Sequence, residues 1–295
     1  MKMKRYATYL LAAALLFMVG CKADYDNDEP SQLVVEGWID DGEFPMVFVT
    51  RSIPVSEDYQ DITDLGQYLE RWAKVTISDG EREEVMVGRL NRSYSPPFYY
   101  TTSYMRGEAG KTYRLHIESP DGLTADAETT ITPETAVIDS FWVTPAESSD
   151  TLYQLHAHVN LKASTAQYFK IFSQTNEDVY TMLSSMLGVF SREMIGNGDI
   201  VIHRGRKNLE KDYVSSFSIN EVVQVKLVAL SEKQYQFWRS FEDMMSLSRN
   251  PLFPATDNMP SNISTGMGCW FGYTSRSYIV PISSYADKAS ARIRH

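Results

Sequence analysis

Residues 112–131, TYRLHIESPDGLTADAETTI, decide the class of fold. In the first half of this stretch, Tyr113, Leu115 and Ile117 point to one side of an extended chain, while the polar residues between them point to the other. Residues 119–122 place Pro, Asp and Gly where a tight turn and its exit require them. Residues 123–131 then resume the alternation. The stretch therefore predicts a hairpin of two half-buried strands.

Similar short alternations precede this hairpin and are separated by turn residues. The predicted strands are Leu33–Ile39, Met46–Thr50, Ala73–Ser78 and Glu84–Gly88. The series ends near Thr132 and Pro133. Residues 33–133 therefore predict an immunoglobulin-like β-sandwich.

A second β-rich domain is predicted over residues 134–284. Its strand candidates are Ile138–Thr144, Tyr153–Leu161, Tyr168–Ser173, Ile200–His203, Phe217–Ile219 and Val222–Leu230. Residues 181–190 fit either a strand or a short helix. A capping box at Ser231 and Gln234, followed by apolar residues at helical spacing, predicts one amphipathic helix over residues 231–247. Residues 285–295 are expected to form a polar tail, and the whole chain is expected to be mainly β.

Residues 1–20 have the pattern of an export signal. Three basic residues precede an apolar run over residues 10–19, which is too short for a transmembrane helix. The run ends at Gly20 and Cys21, a junction that resembles the lipobox of bacterial lipoproteins. This resemblance predicts a lipoprotein signal peptide over residues 1–20, with the lipid on Cys21. An ordinary secretory signal with an incidental cysteine is the alternative.

Lipidation of Cys21 would leave the other cysteine, Cys269, without a disulfide partner. The stability of the mature chain must then come from packed cores rather than from disulfides. The lipid would hold the protein at the membrane by its N-terminus, without a spanning segment.

Residues 21–32 are polar and acidic, which predicts a flexible tether. Aspartates at 24, 26 and 28 imitate the start of a calcium loop, but its sixth and twelfth positions hold Glu29 and Val35 where Gly and Glu are required. Lys22, Asp24 and Asp26 instead resemble the export signal of surface lipoproteins in the Bacteroidota. That resemblance implies an outer-membrane protein exposed at the cell surface, and a simple solvated linker is the alternative.

Charge and motifs argue against several function classes. Removing residues 1–20 takes away three positive charges and no acid, so the net charge moves from −10 to −13, which disfavours nucleic-acid binding. No nucleophile, metalloprotease or phosphate-loop motif is present, so a non-enzymatic protein without a cofactor is predicted. Two carboxylates that meet only in space, as in a glycan hydrolase, remain an alternative.

Three histidines are candidates for metal ligation. His156 and His158 are two residues apart on a predicted strand, so both would point to the same side. Both belong to the polar face and have no third ligand nearby in sequence. His116 occupies a similar position in the first domain. We interpret all three as surface residues and predict no metal site.

Two stretches are candidates for recognition or for closing a core. The aromatic loop 94–104, centred on Phe98, Tyr99 and Tyr100, is a candidate binding surface, with a strand of the first sandwich as the alternative. Near the C-terminus, a predicted turn and plug closes the core of the second domain, with a binding loop as the alternative. Its residues are Asn262, Gly266, Gly268, Trp270 and Phe271. The two aromatic side chains are expected to pack on the Phe237/Phe241 face of the helix.

Several segments together resemble a known family. They are Leu33–Ile39, Phe48–Ser52, Gly110–Leu115, Tyr235–Trp238 and Pro260–Gly272. The set is similar to a family of Bacteroidota lipoproteins known as domain of unknown function four-two-four-nine. The resemblance implies an outer-membrane lipoprotein encoded beside a TonB-dependent receptor, and it supplies no catalytic residues. The leading hypothesis is an accessory protein that captures a ligand for such a transporter. An adhesin or surface-assembly subunit and a glycan or peptide hydrolase are the alternatives.

Overall fold

The computed structural model describes residues 31–52, 66–94, 96–146, 149, 151–176, 184–204, 215–247 and 259–286. Within these residues the chain is mainly β, as predicted, with eighteen strands and one long helix, α1 (Glu232–Leu247). The strands are β1 (Leu33–Asp40), β2 (Met46–Arg51), β3 (Lys74–Ser78), β4 (Glu83–Val85), β5 (Val87–Leu90), β6 (Phe98–Thr101), β7 (Thr112–Glu118), β8 (Thr124–Thr130), β9 (Val137–Pro145), β10 (Leu152–Asn160), β11 (Tyr168–Thr175), β12 (Ser184–Ser191), β13 (Asp199–Ile202), β14 (Phe217–Ser218), β15 (Val222–Leu230), β16 (Ile263–Ser264), β17 (Met267–Tyr273) and β18 (Ser275–Pro281).

Two five-stranded sheets form the first sandwich. Sheet 1 has the order β16-β8-β7-β3-β4, and sheet 2 has the order β17-β1-β2-β6-β5. The opening hairpin is the β7–β8 pair of sheet 1, where Leu115 lies opposite Ala127. Alternate residues of both sheets meet in one core, which includes Val35, Val47 and Ile117. A sandwich is therefore present where the alternation of the sequence predicted one.

A second sandwich is built from four-stranded sheets. Sheet 3 has the order β12-β11-β15-β18, and in sheet 4 the central strand β10 pairs with β9, β13 and β14. The core between them includes Leu155, Phe169 and Val225. Residues 184–190 of the ambiguous segment belong to strand β12, and residues 181–183 lie outside the described residues. The predicted start of the polar tail at residue 285 is wrong, because Ala286 is buried in this core and Tyr285 packs against it.

The C-terminal part of the chain corrects the expected division into domains. Strand β17 pairs in parallel with β1, and β16 pairs with β8, so residues 263–273 belong to the first sandwich and not to the second. Strand β18, after the single residue Thr274, returns to sheet 3. The chain therefore passes between the two sandwiches three times, once after β8, once between α1 and β16, and once at Thr274.

A third apolar cluster joins the two sandwiches. It lies between the outer face of sheet 2, helix α1 and the outer face of sheet 3, and it includes Phe271, Phe237 and Val228. The helix begins as predicted, because Ser231 Oγ accepts a hydrogen bond from Gln234 N and Gln234 Oε1 accepts one from Ser231 N. Among the described residues, none of the helices is long and apolar enough to cross a membrane.

Candidate functional site

One row of side chains crosses the outer face of sheet 2. The strand registers place Cys269 beside Glu36, and Glu36 beside Phe48. Tyr99 continues the row on β6, with its ring centroid 5.8 Å from that of Phe48. Because successive strand residues alternate between faces, this row points away from the core of the first sandwich.

Helix α1 covers one end of this face. The ring of Phe237 lies edge-on to that of Phe271, with the centroids 5.0 Å apart. Trp238 Nε1 donates a hydrogen bond of 3.0 Å to the hydroxyl of Tyr273. Gln234 Nε2 donates one of 3.0 Å to the carbonyl oxygen of Gly272. These contacts hold helix α1 against β17. The β2–β6 side of the outer face of sheet 2 does not take part in them.

The β2–β6 side carries a cluster of aromatic rings around Phe48. The centroid of Phe48 lies 5.6 Å from that of Trp38 and 5.8 Å from that of Tyr94, and the rings of Tyr94 and Tyr99 are 5.5 Å apart. Phe48 is 4% exposed and forms the floor, while the other three rings are half-buried. We call these four residues and Glu36 the aromatic recess.

Local structure after β5 positions Tyr94. Its backbone N–H donates to the carbonyl oxygen of Asn91 at 3.2 Å, and the Asn91 side-chain oxygen accepts from Ser93 N at 3.0 Å. Asn91 N in turn donates to Pro97 O at 2.7 Å. This turn folds Tyr94 back over Phe48. Burial, together with the nearby Tyr99, raises the pKa of the Tyr94 hydroxyl.

Glu36 is the charged member of the recess. Its side chain is accessible to water, but the surrounding protein excludes part of the water that would hydrate the carboxylate on an open surface. This desolvation raises the pKa of Glu36. Within the described part of the chain, no hydrogen bond or ion pair satisfies this carboxylate. The arrangement offers one unsatisfied acid beside several aromatic faces, which is a composition typical of small-molecule sites.

The neighbouring thiol is not a nucleophile. Cys269 is buried, and burial raises the pKa of its thiol far above the usual range, with a further contribution from Glu36. A cysteine reacts as the thiolate, so this environment keeps Cys269 inert. Its role is to pack between sheet 2 and helix α1.

The predicted binding triplet does not form a single surface. Tyr100 is buried in the first sandwich, where its hydroxyl donates to Glu70 O at 2.9 Å and accepts from Ala73 N at 3.1 Å. Phe98 packs edge-on against Tyr100, with centroids 5.3 Å apart. Only Tyr99 lies in the aromatic recess. The alternative interpretation, a strand of the first sandwich, therefore describes Phe98 and Tyr100.

The predicted C-terminal turn closes a different core from the one expected. Trp270 is fully buried in the first sandwich, and its Nε1 donates to Tyr113 O at 3.1 Å. Asn262 holds this strand from the side, accepting from Trp270 N at 2.8 Å and donating to Trp270 O at 2.7 Å. Phe271 alone packs on Phe237 of the helix as predicted, because neighbouring residues of β17 point to opposite faces.

The two glycines of this turn allow close backbone approach. A Cβ atom at Gly268, whose φ is +112°, would lie 1.9 Å from the carbonyl oxygen of Val35. A Cβ atom at Gly266 would lie 2.7 Å from that of Leu33. Both glycines therefore permit the parallel pairing of β17 with β1.

The histidines have polar neighbours on strand surfaces. Nδ1 of His116 lies 2.7 Å from Asp126 Oδ1, and Nδ1 of His158 lies 2.8 Å from Asp199 Oδ1. His156 stacks on Trp142 with centroids 5.3 Å apart. No group of three or more metal-binding side chains occurs in the described ranges. Cys21, Lys22, Asp24 and Asp26 lie outside those ranges.

Sequence reasoning missed a buried ion pair under helix α1. Lys170 Nζ donates to Glu242 Oε1 at 2.9 Å, and the same oxygen accepts from Gly188 N at 2.8 Å. The Lys170 Nζ also lies 5.0 Å from the ring centroid of Trp238. The only local signal for this pair was a lysine, Lys170, inside an apolar strand pattern. Its partner Glu242 is 72 residues away in sequence and could not be inferred locally. The pair fixes the helix on sheet 3.

Glu36, Trp38 and Phe48 were also missed as site residues. All three lie within segments that carry the family resemblance, but strand alternation alone does not show what covers each face.

No curated protein matches this chain. A family model described as "Domain of unknown function (DUF4249)" matches residues 21–279. This match covers most of the chain, from the predicted lipidation site to β18, and includes both sandwiches and the aromatic recess. The chain therefore belongs to the DUF4249 family.

Proposed function

We propose that this chain is a lipid-anchored outer-membrane protein that captures a ligand at the cell surface for a neighbouring TonB-dependent transporter. The aromatic recess carries the proposal, because it combines half-buried rings with a water-accessible carboxylate that has no partner in the described chain. The export signal, Cys21 and the acidic segment after it support the location.

The position of β1 supports action close to a membrane. A tether over residues 21–32 spans at most about 40 Å when fully extended. It leads into Leu33, which pairs with Arg51. The guanidinium of Arg51 binds Asp121 in the β7–β8 turn, so this end of the first sandwich is nearest to the predicted anchor. Glu36 lies about 10 Å further along the strand, so the recess is within reach of a membrane-embedded partner.

The recess favours binding over catalysis. Hydrolysis of a glycosidic bond needs two carboxyl groups with different roles. Desolvation raises the pKa of Glu36, and no second acid among the described residues contributes to this shift. Cys269 is inert, as described above. One acid among aromatic rings can orient a ligand but lacks the pair that acid–base hydrolysis uses.

Co-purification from native outer membranes tests the proposal. A C-terminal affinity tag on the full-length chain should retain a TonB-dependent receptor, identified by mass spectrometry, and protease should cleave the chain on intact cells. Cys21→Ala should release the protein from the membrane fraction and lose the receptor. Replacing Lys22, Asp24 and Asp26 by alanine should keep the lipid but abolish surface cleavage. Absence of any such receptor from the wild-type eluate would refute the transporter partnership.

A second candidate function, an adhesin or assembly subunit, is favoured by an exposed sheet edge. Strands β4 and β5 form the edges of sheets 1 and 2, joined by buried Met86. Val85 is 53% and Leu90 is 68% exposed along this edge. Unpaired apolar edges can accept a strand from another chain. Concentration-dependent oligomers that Val85→Lys disrupts, measured by light scattering, would support this alternative over the transporter role.

A further inference from the structure

We propose that the aromatic recess selects an organic cation, namely an ammonium or guanidinium group attached to an apolar or aromatic body. The proposal rests on the ligand-capture function proposed above and names the chemical class of the ligand. The cation would pair with Glu36, and the attached body would lie against Trp38, Tyr94 and Tyr99 over the floor formed by Phe48.

The state of Glu36 distinguishes it from other acids near the same sheet. Asp40, two residues beyond Trp38 on the same strand face, is paired with Lys226 of sheet 3. Glu70 is paired with Arg51 at 2.6 Å. Glu36 lies opposite Phe48 on the outer face of sheet 2 and has no such cation in the described chain. An acid without a partner, next to a cluster of aromatic rings, favours a ligand that brings its own positive charge.

The rings around Glu36 favour the same charge. Aromatic faces carry partial negative charge and attract cations within about 6 Å of the ring centre. Phe48 contacts three other rings with centroid separations of 5.6 to 5.8 Å, so the rings form a continuous apolar wall. The titratable groups on the adjacent strand, Cys269 and Tyr273, both have raised pKa values and stay neutral near pH 7. They therefore add no charge of their own, and neither residue type can supply a competing cation.

An anionic ligand is disfavoured at the same place. It would meet the Glu36 carboxylate, the negative ring faces and a strongly acidic protein. A neutral ligand could use the rings but would leave the acid unsatisfied. Selectivity for cation over anion is therefore the measurable consequence of the geometry.

Three probes that share a phenylethyl body and carry a cationic, a neutral or an anionic head group test this inference. We would titrate the purified mature protein in detergent with phenethylammonium, 2-phenylethanol and 3-phenylpropionate, using calorimetry and tryptophan fluorescence. Phenethylammonium should bind at least tenfold more tightly than the alcohol, and the carboxylate should not bind. Glu36→Gln should weaken phenethylammonium binding at least tenfold and leave the alcohol unaffected. Glu81→Gln, which alters an exposed acid in the β3–β4 turn, should change nothing.

The outcomes separate this inference from the proposed function. Equal affinity for all three probes, or unchanged ammonium binding in Glu36→Gln, would refute cation selection while leaving ligand capture intact. No binding of any probe up to about 10 mM would refute the recess as a ligand site. This outcome is also expected if another part of the chain fills the recess. The thermal unfolding temperature of each variant tests whether a loss of affinity is caused by a loss of structure. Receptor co-purification is independent of all these results.

Discussion

Thr274 and Thr132 meet where the chain passes between the two sandwiches. Thr274 N donates a hydrogen bond of 3.0 Å to Thr132 Oγ1, although the residues are 142 positions apart. Thr132 follows β8 as the chain leaves the first sandwich, and Thr274 is the single residue between β17 and β18. These two of the three crossings are therefore fastened to each other, and the cluster around Phe271 and Phe237 packs beside them. The sandwiches are joined by three chain connections and a shared apolar layer.

Removing the Trp270 side chain should destabilise the first sandwich although the residue is distant in sequence from its other strands. Trp270→Ala creates a cavity in a fully buried position and removes the hydrogen bond to Tyr113 O. We expect a loss of about 3–5 kcal/mol in the free energy of unfolding, measured by urea denaturation. Trp72→Ala, at a side chain that is 83% exposed, is the control and should be near neutral. A small effect of Trp270→Ala would contradict the assignment of β17 to this core.

Gly268 should tolerate no side chain. Gly268→Ala places a Cβ atom against the Val35 carbonyl and forces an unfavourable φ, so we expect more than about 2 kcal/mol of destabilisation. Gly42 also has positive φ, +79°, but has open space around it. Gly42→Ala should therefore cost only about 1–2 kcal/mol from backbone strain. Equal losses in the two variants would show that steric contact between β17 and β1 is unimportant.

The Lys170–Glu242 pair should show strong coupling. Lys170→Met leaves a buried carboxylate without its cation, and we expect about 3–5 kcal/mol of destabilisation. Adding Glu242→Gln removes the charge but keeps an oxygen for Gly188 N, so the double variant should recover much of the loss. Thermal and urea unfolding of both singles and the double complete a mutant cycle. The exposed pair Arg239–Asp243 is the control, and Asp243→Ala should change stability by less than about 1 kcal/mol.

Tyr99 and Tyr100 should separate binding from stability. Tyr100→Phe removes a hydroxyl that makes two buried hydrogen bonds, and we expect a loss of about 1–3 kcal/mol. Tyr99→Phe, one residue away on the opposite face, should leave unfolding unchanged. Tyr99→Ala should weaken phenethylammonium binding by removing a wall of the recess. Unaltered binding in Tyr99→Ala would exclude this ring from the site.

Glu36 should lower stability as the pH rises. Its pKa in the folded chain is raised above the ordinary 4.5, so the folded state holds its proton longer than the unfolded state does. The contribution of Glu36 to the free energy of unfolding therefore falls as the pH increases from about 4.5 through the raised pKa, and it is constant above that pKa. Glu36→Gln should match the wild type at pH 4 and be more stable at pH 8, with Glu81→Gln as control. Identical urea curves at pH 8 would show that Glu36 is not desolvated.

Sequence patterns predicted much of the secondary structure for local reasons. The period of two around Leu115 reports that a strand has one buried and one exposed face, and the turn at Ser119–Gly122 fixes its partner on β8. The capping box at Ser231 is equally local and begins helix α1 where predicted. These features depend on residues a few positions apart, so they can be inferred before the fold is known.

The continuous apolar run of β17 was a further signal, because a strand buried on both faces lacks alternation. The run indicates burial on both sides but not the identity of the neighbours. The turn-and-plug prediction placed these residues in the core of the second domain, whereas β17 pairs with β1 in the first sandwich.

The sequence by itself determined many of the strands, where the helix begins and which residues of those strands are buried. Only the tertiary structure decided that β17 lies in parallel beside β1, that Tyr99 joins Phe48 while Tyr100 enters the core, and that Glu36 lies beside aromatic rings. The physical reason is that alternation specifies two faces of a strand but not what covers them. Which elements pack on each face is decided by contacts between residues far apart in the chain. These contacts form only once both sandwiches and the helix have packed.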